Sequence, residues 1–260
     1  MPLVYDCAQE TLDGILNHAI VVRQRRSGHR AGTDTVLLAV ASAALLREGR
    51  VADLGAGVGT VGLIIAKKVD CADVFLVESD PVLAQMARDN VSLNHLGERT
   101  SVIEANILAC SSERRLLGLQ PEMVDMVVTN PPFLCVPHSS HSAEVSREHA
   151  ISSKDLECWF RVAVDILVPC GALMCIYRAD GFSRLLPIIE KRFGGLIVRP
   201  IHAYADHPAI RVLIMGRKGS RAPLRFLPPL ILHKTDGRFT DEVEALHRGD
   251  LAPMMFPCFS

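Results

Sequence analysis

The stretch that decides the fold is VADLGAGVGT at residues 51–60, where an apolar strand runs into three closely spaced glycines. Glycine is required in such a turn because the backbone adopts positive φ there and comes close to a ligand. The segment from Gly59 to about Lys68 has the pattern of a helix. The sequence therefore predicts a strand, a glycine turn and a helix, the ligand-binding unit of a doubly wound sheet.

The same alternation of strand and helix continues along the chain. Runs rich in Val, Ile and Leu, separated by helical segments, predict a mostly parallel sheet with helices on both faces. The last two strands have no helix between them, so we expect them to pair antiparallel. The fold class is therefore α/β, doubly wound and Rossmann-like. Seven strands are predicted, at residues 50–55, 73–78, 100–105, 124–129, 171–178, 195–201 and 210–216.

Shorter elements flank this core on both sides. Residues 15–26 predict one or two short strands, and the apolar run at residues 36–46 predicts a buried helix. Thr33 or Asp34 is expected to cap that helix, and a weak helix is expected near Asp241. The predicted organisation is an N-terminal strand and turn element at 1–35, a central domain at 36–218 and a tail packed on it at 219–260.

The composition is that of a cytoplasmic globular protein. Apolar residues make up 49% of the chain, yet no run of about 18 lacks a charge or a breaker, so no membrane span is predicted. The first residues carry acids where a signal peptide is basic and then apolar. The eight cysteines are scattered without a CxxC pair, which is unlike a disulfide scaffold or a zinc site.

Two acids indicate which nucleotide the glycine turn binds. Glu78 ends the second strand, where the hydroxyl groups of a ribose can donate to it. A dinucleotide fingerprint would place a glycine at Thr60, and Asp53 would repel a pyrophosphate. A sulfonium and an amino-acid ammonium are cations that an acid attracts. These residues favour S-adenosylmethionine, with a dehydrogenase or an ordinary βα turn as weaker alternatives.

Asn106 follows the third strand, where the adenine edge of the donor is expected. Its Oδ1 can accept from the adenine amino group while its Nδ2 donates to a ring nitrogen. A loop asparagine serves equally well in turn formation. Both interpretations stay open at this stage.

The segment Asn130-Pro131-Pro132-Phe133 follows the fourth strand directly and predicts the reaction site. A planar amine is a poor nucleophile because its lone pair is delocalised into the ring. Two acceptors at its two N–H groups, Asn130 Oδ1 and the Pro131 carbonyl, favour a pyramidal nitrogen with a free lone pair. The prolines fix these acceptors in place, and Phe133 offers a face for base stacking.

Basic residues cluster at two places in a chain whose net charge is only -1. Such clusters are either solvated loop charge or phosphate-contacting patches. The early cluster supplies the candidate RNA contacts Arg25, Arg26 and Arg30. The late cluster, expected to flank the other end of the catalytic face, contains Arg217, Lys218, Arg221 and Arg225.

Two further constellations are weaker candidates. Cys135, His138 and His141 have the side chains of zinc ligands, but they lie in a polar loop that we interpret as substrate-contacting, so no metal is predicted. Trp159 lies in an amphipathic helix and is interpreted as a core residue rather than a platform for a base.

Several of these motifs together resemble the tRNA(Val) adenine-N6 methyltransferases, which modify an adenine of the anticodon loop. The resemblance covers roughly residues 12–245. The glycine turn and NPPF are shared by many amino-methyltransferases, whereas the GTDTVLLA segment and the late RVL strand are more particular to this group. The matching stretches are GHRAGTDTVLLA (28–39), ADLGAGVGTVGL (52–63), LVESDP (76–81), DMVVTNPPF (125–133) and AIRVLIMGRKGS (209–220).

The resemblance implies a class I S-adenosylmethionine-dependent methyltransferase that releases S-adenosylhomocysteine. It places Asn130 at the meeting point of donor and acceptor, and it puts Asn106 where relatives usually carry Asp. The donor residues it implies are Thr33, Asp34, Asp53, Gly55, Gly57, Gly59, Glu78, Asn106 and Asn130. The acceptor residues it implies are Asn130, Pro131, Pro132 and Phe133.

The predicted acceptor is a planar NH2 group, and several molecules present one. A tRNA adenine leads, while a glutamine amide of a release factor and the N2 of a guanine in ribosomal RNA also present a planar NH2. A non-catalytic protein that only binds the donor is a more remote alternative, because it has no need for the NPPF loop.

Overall fold

The structure, a computed structural model, describes residues 10–26, 30–133, 151–250 and Phe256. The strands are β1 (Glu10–Ile15), β2 (Ile20–Arg25), β3 (Gly49–Leu54), β4 (Ala72–Glu78), β5 (Thr100–Glu104), β6 (Val124–Thr129), β7 (Leu167–Arg178), β8 (Phe193–His202), β9 (Ala209–Lys218), β10 (Arg225–Phe226) and β11 (Leu230–Ile231). The helices are α1 (Thr33–Leu45), α2 (Thr60–Lys68), α3 (Pro81–Leu93), α4 (Ser111–Leu116), α5 (Ser153–Ile166), α6 (Phe182–Glu190) and α7 (Asp241–His247).

The large sheet has the order β10-β8-β9-β7-β6-β3-β4-β5, and β11 also pairs with β8. Every pair in it is parallel except those of β9, which runs antiparallel to both β7 and β8. The α/β fold and the antiparallel final pair are therefore confirmed. The predicted count of seven strands is wrong, because β10 and β11 of the tail extend the sheet to nine. Each is only two residues long and leaves no periodic pattern in the sequence.

Side chains of the strands alternate between two cores, one on each face of the sheet. Met174 and Ile176 of β7 enter the first core, which the hairpin and helices α1, α2, α3 and α7 cover. Leu173 and Cys175 of the same strand enter the second, under α5 and α6. This double burial explains why the strands are apolar without a polar face.

The helix at α1 is buried as predicted, since residues 35–43 are all shielded from solvent. Its predicted cap is wrong, however. Gly32 occupies the N-cap position without a side-chain hydrogen bond, because the Asp34 carboxylate instead accepts from Arg211 Nε at 2.7 Å. At α3, by contrast, the N-cap residue Asp80 does use its side chain: its Oδ1 accepts from the backbone N–H groups of Val82 and Leu83.

The N-terminal strands β1 and β2 form a separate antiparallel hairpin. Ile20 and Val22 of β2 are fully buried in the first core, so the hairpin is packed on the central domain. In the tail, Val243 and Leu246 of α7 enter the same core. No helix within the described residues is long and apolar enough to span a membrane.

Candidate donor and acceptor site

The glycine turn and the NPPF loop leave the sheet side by side. Their strands β3 and β6 are parallel neighbours, and Leu54 pairs with Thr129. The Thr129 hydroxyl donates to the Leu54 carbonyl at 2.9 Å and accepts from Trp159 Nε1 at 3.1 Å. Thr129 is fully buried and Trp159 is 7% exposed. Trp159 is thus a core residue, as predicted, and it fixes the two strand ends from which the motifs emerge.

The three glycines of the turn all have positive φ, between 56° and 89°. Two of them are also required by packing, because a Cβ at Gly55 would lie 2.9 Å from the Trp159 ring and one at Gly59 would lie 2.7 Å from Leu76. A Cβ at Gly57 would meet no described atom within 4 Å. Gly57 therefore opens onto free space, where a bound ligand can approach the backbone.

Glu78 joins the end of β4 to the glycine turn. Its Oε2 accepts from Gly57 N–H at 2.8 Å, and its Oε1 accepts from the N–H groups of Ser79 and Asp80 at 2.7 and 2.9 Å. Oε1 also accepts from the Ser79 hydroxyl at 3.4 Å, whereas Oε2 accepts only from Gly57 among the described residues. A lone pair of Oε2 therefore remains for a hydroxyl donor. The arrangement fits the nucleoside of S-adenosylmethionine, whose ribose hydroxyls can donate to this position.

Asp53 is placed differently from the sequence expectation. Its side chain is 2% exposed and accepts from Gly62 N–H at 3.1 Å, beneath the first turn of α2. Burial, opposed by that hydrogen bond and assisted by the charge of Glu78, raises the pKa of Asp53 to about 7. Asp53 therefore ties the end of β3 to the first turn of α2 and does not face outward as a partner for a cation.

Asn106 lies just past β5, next to the edge that carries Glu78, since β4 and β5 pair Glu78 with Glu104. Its side chain is exposed, and its Oδ1 accepts from Leu108 N–H at 2.8 Å. The turn-forming role is thus realised in the structure. A role in adenine recognition stays a prediction.

Phe133 lies among side chains from two strands, β7 and β9. Its ring meets Tyr177 edge to face, with centroids 5.6 Å apart. The guanidinium carbons of Arg178 and Arg211 lie 5.6 and 5.9 Å from its centroid, within the range of cation–π attraction. Arg211 is also the partner of Asp34 at the start of α1. The structure therefore brings the predicted N-terminal element and the NPPF loop to one place.

Sequence reasoning missed Arg178 and Arg211. Arg178 is the last residue of β7 and Arg211 lies near the start of β9, and a charge at one end of an apolar strand is the only signal available in the sequence. Their approach depends on the antiparallel register of β7 and β9, which pairs Arg178 with Arg211. Arg178 also forms a two-point ion pair with Asp180.

The early basic cluster lies where the hairpin leads into α1. Arg25 and Arg26 are exposed, whereas Arg30 donates to the Asp13 carboxylate at 2.8 Å and is partly neutralised. Arg25 and Arg26 are therefore the charges of this cluster that solvent reaches.

Thr33, a predicted donor residue, lines a cavity of about 420 Å³ between the hairpin turn and His247.

The late basic cluster does not flank the catalytic face, and that prediction is wrong. In the antiparallel register of β9, Arg211 pairs with Arg178 at the carboxyl end of β7, whereas Lys218 Nζ donates to the carbonyl of Leu167, the first residue of β7. Lys218 is also within 3.6 Å of Glu122. Lys218 and its neighbour Arg217 therefore lie toward the opposite ends of the strands from the NPPF loop.

The polar loop with Cys135, His138 and His141 lies outside the described residues. Among the residues that the structure describes, no group of three or more His, Cys, Asp or Glu side chains is arranged to hold a metal ion.

Comparisons with known proteins agree on one family for this chain. A model of the methyltransferase small domain matches residues 28–196. A Porphyromonas gingivalis protein named tRNA1(Val) (adenine(37)-N6)-methyltransferase is 30% identical, over 82% of this chain and 85% of its own. An Aeromonas hydrophila protein of the same name is 27% identical, over 83% and 87%.

Solved structures agree on the fold. A predicted O-methyltransferase from Agrobacterium tumefaciens is 32% identical with a TM-score of 0.67, over 82% of this chain and 96% of that one. A 16S rRNA N2 guanine methyltransferase from T. thermophilus, in complex with AdoMet and guanosine, has a TM-score of 0.54 over 80% of this chain and 50% of that one. At 21% identity the second likeness bears on the fold alone.

The buried carboxyl of Asp53 predicts a specific dependence of stability on pH. Its pKa is about 7 in the folded protein and near 3.8 as an ordinary aspartate. Between these values the folded protein keeps a proton that the unfolded chain has lost. The free energy of unfolding should therefore fall by about 1.4 kcal/mol per pH unit as pH rises.

The variant Asp53→Asn keeps an acceptor for Gly62 N–H and carries no charge, so it should lack this contribution. Urea unfolding of both proteins across that pH range measures the difference, which cancels the contributions of other groups. Parallel curves for the two proteins would contradict the assignment.

Replacement of Glu78 should weaken binding of the donor while the protein stays folded. Glu78→Ala removes four accepted hydrogen bonds and the acceptor available to a ribose, so S-adenosylmethionine should bind at least about tenfold more weakly. Isothermal titration calorimetry measures the affinity, and thermal unfolding checks that the variant is folded. An unchanged affinity would count against this role for Glu78.

Proposed function

Because the chain belongs to the methyltransferase small domain family, we propose that it transfers a methyl group from S-adenosylmethionine to N6 of an adenine in tRNA. The family and the S-adenosylmethionine dependence rest on the comparisons above. The acceptor and its place in the anticodon loop are the proposed part. One observation carries the proposal: the NPPF loop starts beside the glycine turn, at the paired ends of β3 and β6.

The donor supplies an electrophilic methyl group on a sulfonium, and the amine that receives this methyl loses a proton. The protein's contribution is to hold the amine in place. Asn130 follows directly on the buried Thr129, and Pro131 is itself buried. Fixed acceptors at this point require no rearrangement during the reaction, which is the advantage of a preorganised site.

The NPPF loop favours an amino group over a hydroxyl group as acceptor. Asn130 Oδ1 and the Pro131 carbonyl are two acceptors, and a planar NH2 group has two hydrogens to donate. A hydroxyl has only one, so it would leave one acceptor unpaired. The name of the Agrobacterium tumefaciens structure specifies an oxygen acceptor for that protein, and the experiment below distinguishes the two chemistries.

Two lines of support favour a tRNA adenine among the amino acceptors. The relatives from Porphyromonas gingivalis and Aeromonas hydrophila both carry the name of a tRNA adenine-N6 methyltransferase. Cations border Phe133 of the loop, namely Arg178 and Arg211, and the hairpin carries the exposed Arg25 and Arg26. Guanidinium groups pair well with phosphate, so this border suits a polynucleotide.

Nucleoside mass spectrometry tests the proposed function. The full chain is incubated with bulk tRNA lacking the modification and with isotopically labelled S-adenosylmethionine, and the tRNA is then digested to nucleosides. Labelled N6-methyladenosine is the expected product. Ribosomal RNA and a release factor are incubated in parallel under the same conditions. Labelled 2-methylguanosine in the ribosomal RNA, a labelled glutamine in the release factor or a labelled hydroxyl, with unlabelled tRNA adenine, would each overturn the tRNA adenine assignment.

Asn130→Ala should separate transfer from donor binding. Loss of one of two preorganised partners of the amine should lower the rate of methyl transfer by about 100-fold or more, while Glu78 and the glycine turn still bind the donor. Single-turnover transfer and calorimetry with S-adenosylmethionine measure the two effects. An equal loss in both would remove Asn130 from the acceptor side of the site.

A further inference from the structure

Two asparagines of α3 pair with the outer edge of the hairpin strand β2. Asn94 Oδ1 accepts from Val21 N–H at 2.9 Å, and Asn94 Nδ2 donates to the Val21 carbonyl at 2.7 Å. Asn90 makes the same pair of bonds two residues further along β2: its Oδ1 accepts from Arg23 N–H at 2.7 Å, and its Nδ2 donates to the Arg23 carbonyl at 2.9 Å. The two carboxamides thus bond to β2 as a neighbouring strand would.

Asn90 makes one contact that Asn94 does not. Its Nδ2 also donates to the carbonyl of Val58 at 3.0 Å, and Val58 lies between Gly57 and Gly59 in the glycine turn. The second bond of Asn94 Nδ2 goes instead to the carbonyl of Asn90 within the same helix, at 2.7 Å. Asn90 alone of the two therefore joins the hairpin to the turn.

The chemistry of this link requires a carboxamide. Asn90 is fully buried, and both hydrogens of its Nδ2 have an acceptor. A carboxylate offers no donor and would face two carbonyl oxygens. In a water-free site each bond is costly to leave unmade, so the position of the turn and the position of β2 depend on one side chain.

We propose that Asn90 is a positioning residue that couples the docking of the hairpin to the donor site. A ligand that stabilises the glycine turn then stabilises the hairpin, and by linkage a docked hairpin raises the affinity for the donor. The hairpin carries the exposed Arg25 and Arg26, so it connects donor binding to RNA binding. That last consequence rests on the proposed function, whereas the coupling itself needs only the donor.

The matched variants Asn90→Asp and Asn94→Asp test the coupling. Each keeps the accepted bond from β2 and loses two donated bonds, one of them to a β2 carbonyl. Only Asn90→Asp loses the bond to the glycine turn. Because Asn90 is fully buried, Asn90→Ala serves as a second variant that adds no charge, and thermal unfolding checks that each variant is folded.

The main readout is hydrogen–deuterium exchange of residues 20–25 in the full chain, with and without S-adenosylhomocysteine. We expect the ligand to slow exchange in the wild type and in Asn94→Asp, and to have little effect in the Asn90 variants. In calorimetry, Asn90 substitution should weaken binding of S-adenosylhomocysteine by about fivefold, with less than about a twofold change for Asn94→Asp. A merely structural role would move both asparagine variants alike.

Two results would overturn the coupling. One is ligand-induced slowing in the Asn90 variants equal to that in Asn94→Asp. The other is no slowing of residues 20–25 in the wild type, a measurement that stands even if the Asn90 variants do not fold. No RNA is present, so failure of tRNA methylation leaves these readouts unchanged and is distinguishable from failure of the coupling.

Discussion

The parallel pairing of β3 with β6 is the constraint on which the site depends. It sets Leu54 opposite Thr129, so the glycine turn and the NPPF loop begin at the same level of the sheet. A register slip of one residue would turn each side chain to the other face. The Thr129 hydroxyl and the Trp159 indole lock this register from inside the core, where an unmade hydrogen bond is costly.

The glycine turn is supported from several sides by buried polar groups. Glu78 and Asn90 bond to backbone groups of the turn itself, and Asp53 bonds to the first turn of α2, the helix that follows it. Each of these groups gives up water and regains one to four hydrogen bonds. A turn with three glycines has many accessible conformations in isolation, and this surrounding shell holds it in one of them.

Charge around the NPPF loop is arranged in pairs. Arg211 is held by Asp34 and Arg178 by Asp180, while both guanidinium groups reach Phe133. Paired arginines keep a fixed position without a ligand and still present unpaired N–H groups to a phosphate. Arg217 and Lys218 of the late basic cluster are also cationic, but they lie toward the strand ends opposite the NPPF loop. A basic cluster in a sequence therefore does not by itself locate a binding face.

The sequence by itself determined the α/β fold, the glycine turn, the NPPF loop and the family, because these depend on local periodicity and on residues adjacent in the chain. Tertiary structure alone decided that Asp53 is buried, that Asp34 binds Arg211 instead of capping α1, and that two short tail strands enlarge the sheet. It also brought Arg178, Arg211 and Asn90 to the site. These outcomes depend on the register and packing of elements that are distant in sequence, and the local pattern of residues does not specify such contacts.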